Sequence, residues 1–76
     1  MPASSIGDLQ KQINSKSKSS ATLNADNTLK INATHVSGVA MVHTRAVVDV
    51  SNQTVTVGDG SGVRTGNIDA FLATLQ

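Results

Sequence analysis

The sequence predicts a small α+β domain, with an antiparallel β-sheet of about four strands flanked by an N-terminal helix and a short C-terminal helix. Three observations carry that expectation. Apolar residues recur at helical spacing near both ends of the 76-residue chain, while the middle alternates with period two. Polar turns rich in Asn, Asp, Ser and Gly punctuate the alternating runs. The length suits a single small domain over 1–76.

The first helix is expected over about residues 5–15. Ser5-Ile6-Gly7-Asp8 fits a capping box, which satisfies orphan amides and places a carboxylate at the positive helix end. Ile6, Leu9 and Ile13 then form one narrow apolar stripe. Ser15 to Ser20 contains no apolar residue and reads as a flexible Ser/Lys linker to the sheet.

Two hairpins follow. Ala21–Asn24 and Thr28–Ile31 flank the turn Ala25-Asp26-Asn27, and Leu29, Ile31 and Ala33 alternate with Lys30, Asn32 and Thr34. Ser37-Gly38 ends that run. The longest candidate strand is Val39–Val50. Its even positions form a nearly continuous apolar face, and its odd positions mix Val39, Met41 and Val47 with His43, Arg45 and Asp49. Twelve residues would extend roughly 40 Å, so a bend, a bulge or an intersubunit strand is expected. Ser51-Asn52-Gln53 turns the chain into the short strand Thr54–Val57. Gly58–Gly66 reads as a glycine-dense loop. Asn67 then caps a closing helix with Ile68, Phe71, Leu72 and Leu75 on one side. So short a helix must dock on the sheet to be stable.

Composition narrows the function. Cysteine is absent, which excludes disulfides, thiol catalysis and zinc–thiolate sites. A net charge of +1 and a single aromatic residue, Phe71, argue against nucleic acid as a main partner. No apolar run reaches membrane-span length, and the first residues lack the blocks of a signal peptide. A soluble cytoplasmic protein is therefore expected. A core this small rarely supplies more than about 3–5 kcal/mol unaided. Without disulfides or a metal, self-association is the expected remedy.

Two constellations compete for the functional role. Val39, Met41, His43, Arg45 and Val47 combine apolar area with a few directional groups, and the strand carries no Lys or Glu, as befits an interface. Alternatively, a strand, a glycine-rich loop and a helix start could hold an anion through Gly58, Gly60, Ser61, Gly62, Arg64 and Thr65. That loop lacks the P-loop Lys-Ser/Thr, and the dinucleotide fingerprint is broken by a misplaced glycine. Ser61 sits outside any G-x-S-x-G elbow. His35 and His43 can approach each other near the Ser37-Gly38 turn, yet no third ligand set accompanies them, so neither a metal nor another cofactor is expected.

These readings favour a non-catalytic homo-oligomeric binding module acting on another protein. Inhibitors, adaptors and sequestering proteins, including those of phages and other mobile elements, have such small cysteine-free chains. A binder of an anionic small molecule or nucleotide and a structural subunit of a larger assembly are the alternatives.

Overall fold

In the computed structural model, which describes residues 2–59 and 62–76, seven elements follow in order: α1 (Ile6–Asn14), β1 (Ser20–Leu23), β2 (Leu29–Thr34), β3 (Ala40–Asp49), β4 (Thr54–Asp59), β5 (Gly62–Asn67) and α2 (Ile68–Ala73). The strands form one antiparallel sheet in chain order, β1-β2-β3-β4-β5. The α+β class and the flanking helices are as expected. The sheet has a fifth strand where a loop was predicted.

That strand was hidden by its composition. Glycine signals loops, but Gly62, Val63, Arg64, Thr65, Gly66 and Asn67 pair one by one with Asp59 back to Thr54. A backbone ladder needs only N–H and C=O groups, so a glycine-dense segment can join a sheet whose neighbour is already ordered.

At the start of α1, the Ser5 hydroxyl accepts the Asp8 amide at 3.0 Å, as the capping box requires. The Asp8 carboxylate reaches back one residue further than the motif prescribes, accepting the Ser4 amide at 3.0 Å. Leu9 and Ile13 are fully buried on the sheet. Ser15 ends the helix, and the segment after it is tied to the C-terminus. The Lys18 amide and the Ser19 hydroxyl both donate to the Gln76 carbonyl, at 3.1 and 2.8 Å.

β2 keeps the predicted alternation, with Leu29, Ile31 and Ala33 buried and Lys30 and Asn32 exposed. β3 does not. Leu29 pairs with Ala46 but Ile31 pairs with His43, so Thr44 and Arg45 together oppose Lys30 in a bulge. One extra residue reverses which side chains point to the core. Before the bulge the odd residues Met41 and His43 face inward; after it the even residues Ala46 and Val48 do. Neither predicted face of the long strand is therefore one continuous surface.

Both helices lie on the same side of the sheet. Leu9 and Ile13 of α1, and Ile68 and Leu72 of α2, share one core with Ala21, Leu29, Ile31, Ala46, Val55 and Val57. The opposite side is lined chiefly by Thr22, Lys30, Asn32, Thr54, Thr56 and Thr65, with Val42, Val47 and Val63 exposed among them. Beyond the end of β1, the C-terminal residues extend that edge. His35 bridges to Leu75, the Gln76 amide donates to the Thr34 carbonyl, and the Val36 amide donates to the Thr74 carbonyl.

Candidate functional site

The bulge turns His43 inward, and that inversion builds a cavity. Its floor is the inner surface of β3 and β4, from Met41, His43, Val55 and Val57. β5 forms one wall with Arg64, the Thr65 backbone and Gly66, and α2 forms another with Ala70 and Phe71; the Thr65 side chain turns to the opposite side, beside Thr56. His35 and Thr74 close the far end, where the C-terminal segment meets β2. The volume is about 370 Å³, within the usual range for a small-molecule site.

Three polar groups stand on these apolar walls. His43 is 4% exposed, and its Nδ1 lies 3.3 Å from the Gly58 carbonyl oxygen. A carbonyl only accepts, so Nδ1 carries the proton and Nε2 remains an acceptor in the neutral ring. The His43 ring tilts against Phe71, with centroids 6.0 Å apart at 58°, which fixes its orientation. His35 Nε2 is buried with no hydrogen-bond partner among the described residues. Arg64 brings a permanent charge and a planar set of donors suited to carboxylate or phosphate.

The structure thus redistributes both predicted constellations. Met41 and His43 join Arg64, Thr65 and Gly66 at the cavity, while Val39, Arg45 and Val47 stay exposed elsewhere. His43 is buried, where an exposed or interfacial position was expected, because the bulge reverses its side of the sheet. Gly58 contributes its carbonyl to His43 rather than an amide to an anion. Gly62 pairs with Asp59 in the sheet, and Gly60 and Ser61 lie outside the described residues. Phe71, Val55 and Val57 are lining residues that the sequence marked only as core formers. No spacing signal connects them to His43; only the bulge does.

Arg45 has a structural partner instead. Its Nε donates to Asp26 Oδ2 at 2.9 Å, tying the β1–β2 turn to the bulge. The Thr28 hydroxyl, and next the Arg45 guanidinium, hold the Asp26 carboxyl at a pKa of about 2, well below the ordinary 3.8. The Asn24 side chain adds a 3.0 Å bond to the Thr44 carbonyl in the same bulge.

A larger hollow of about 510 Å³ lies against Ser17–Ser20, Asn32–Thr34 and Ala40–Val42. It gathers neither histidine nor aromatic residues, and Lys18 is its single charged side chain. The cavity under α2 is the better-equipped site. Among the described residues no three His, Cys, Asp or Glu side chains cluster as metal ligands, and no helix is long and apolar enough to cross a membrane. Against protein-family models, curated proteins and solved structures, the chain finds no match.

Proposed function

We propose that this chain is a non-catalytic binding module that takes a small ligand, with an apolar body and one acidic group, into the cavity between α2 and β3–β5. The observation that carries the reading is convergence. One cavity of about 370 Å³ gathers Met41, Val55, Val57, Ala70 and Phe71 together with Arg64, His43 and His35. Apolar walls supply area, and a few placed polar groups fix orientation. Arg64 matches a carboxylate or phosphate bidentately, and His43 Nε2 can accept a hydrogen bond from a ligand hydroxyl. The glycine-rich segment then acts through the Arg64 side chain on a strand, not through a nest of loop amides.

A thermal-shift series with phenyl phosphate, benzoate, inorganic phosphate and phenol tests this. Ligands joining a ring to an acid should raise the unfolding temperature in a concentration-dependent way, since binding only the folded state stabilises it. Arg64→Ala should abolish the shift. No shift with any of the four, or an equal shift in Arg64→Ala, would refute the reading.

A second reading, a homo-oligomeric module assembled through its sheet, is favoured by the exposed Val42, Val47 and Val63 on the side that neither helix covers. Light scattering after size-exclusion chromatography checks it: a monomer at every concentration up to the millimolar range would count against it.

A further inference from the structure

We infer that the β5 edge pairs antiparallel with β5 of a second copy, centred on Thr65, and that this pairing places the second copy's Arg64 over Gly66 at the cavity. The inference deepens the self-association reading by naming the edge and the register.

The chain treats its two sheet edges differently. At β1, the Asn14 side-chain amide imitates a neighbouring strand. Its Oδ1 accepts the Ala21 amide at 2.9 Å and its Nδ2 donates to the Ala21 carbonyl at 3.0 Å. Gln10 adds a further donor to that carbonyl at 3.3 Å. At β5 nothing comparable is found among the described residues. All six residues are exposed, and of the usual devices against edge pairing the strand carries one, the inward-facing charge of Arg64, with no Pro, Lys, Asp or Glu.

Hydrogen-bond parity shows which groups face out. Gln53 and Ile68 stand opposite in the β4–β5 register, and the Ile68 amide donates to the Gln53 carbonyl at 2.8 Å. Even-numbered residues of β5 therefore aim their backbone groups at β4, and Val63 and Thr65 aim theirs outward. Two-fold antiparallel pairing with both inner faces on one side must centre on a residue, because paired residues share a face. Centring on Arg64 would set Gly66 opposite Gly62, and centring on Gly66 would set it opposite its own copy, so neither brings a side chain over Gly66. Centring on Thr65 pairs Thr65 with its copy through two amide–carbonyl bonds, sets Val63 opposite Asn67, and sets Arg64 opposite Gly66.

Gly66 supplies the independent support. Its φ is not positive, and a Cβ added there would meet nothing within 4 Å. Neither backbone conformation nor packing inside one protomer calls for glycine, which weakens a strand interior. The open space lies on the inner side of the sheet, at the cavity wall. An arginine arriving from a paired strand would fill it.

Cysteine scanning tests this cleanly, because the chain has no cysteine. In the Thr65-centred register the two Thr65 Cα atoms lie about 5.5 Å apart, within disulfide reach, whereas two Val63 Cα atoms lie roughly 13 Å apart along the strands. Oxidised Thr65→Cys should run as a covalent dimer at least about fivefold more abundant than that of Val63→Cys. Gly66→Val, which the protomer accommodates, should shift the native protein towards the 7.8 kDa monomer while the far-ultraviolet dichroism is retained. Equal cross-linking at the two positions, or a dimer untouched by Gly66→Val, overturns the edge and register. A monomer throughout overturns these and the self-association reading together, while leaving the ligand titration as its own measurement.

Discussion

Replacing Asn14 by alanine should destabilise the fold by roughly 2–3 kcal/mol, an effect worked from two bonds. Asn14 satisfies both backbone groups of Ala21, at 2.9 and 3.0 Å, and Ala21 is only 5% exposed. Each lost bond costs about 0.5–1.5 kcal/mol net, and a buried amide left unpaired costs about 1–3 kcal/mol. The carbonyl keeps Gln10 as a donor, so the amide dominates the loss. For a domain this small, the unfolding midpoint should fall by roughly 8–24 °C, at about 4–8 °C per kcal/mol. Urea unfolding followed by dichroism measures the free energy, and an unchanged slope identifies a true stability loss. The variant also uncovers the β1 edge, so light scattering should rise on storage. A loss below about 0.5 kcal/mol would show that the Asn14 amide does not hold this edge.

Three further outcomes follow from named contacts. Asn67→Ala removes the oxygen that accepts the Asp69 and Ala70 amides and should cost about 1 kcal/mol while weakening ligand-induced stabilisation, since α2 is a cavity wall. Ala46→Leu adds volume at a site with no exposed surface beside the bulge; thermal unfolding should report a loss of about 1–3 kcal/mol. The Asp26 carboxyl, depressed to about 2 by Thr28 and then Arg45, contributes stability that is present above about pH 4 and lost as pH falls towards 2. Asp26→Asn should therefore flatten that part of the acid-unfolding profile, and an unchanged profile would exclude the contribution.

Much of the fold is legible in the residues, for identifiable reasons. The α1 start follows from Ser5 and Asp8, the α2 start from Asn67, and β2 from strict alternation, because each rests on contacts within a few positions. β5 is not legible because its order comes from pairing with β4, while its two glycines carry the opposite local signal. The β3 bulge is anticipated as a possibility from strand length alone, but its position is set by non-local contacts. Asp26 and Asn24, on the β1–β2 turn, bind Arg45 and the Thr44 carbonyl across the sheet. The site inherits this limit. Arg64 and Thr65 are picked out by the sequence, and so are Met41 and His43, but as two separate surfaces. Only the reversal of facing at Thr44 and Arg45 puts them in one cavity.

The most direct test of that cavity is a nuclear magnetic resonance titration with phenyl phosphate, following the Phe71 and His43 ring signals and the Gly66 amide. All three should move together with one saturating dissociation constant, and Arg64→Ala should suppress the movement. Signals that stay fixed there, or that move instead around Lys16 and Lys18, would place anion binding outside the cavity and contradict the account.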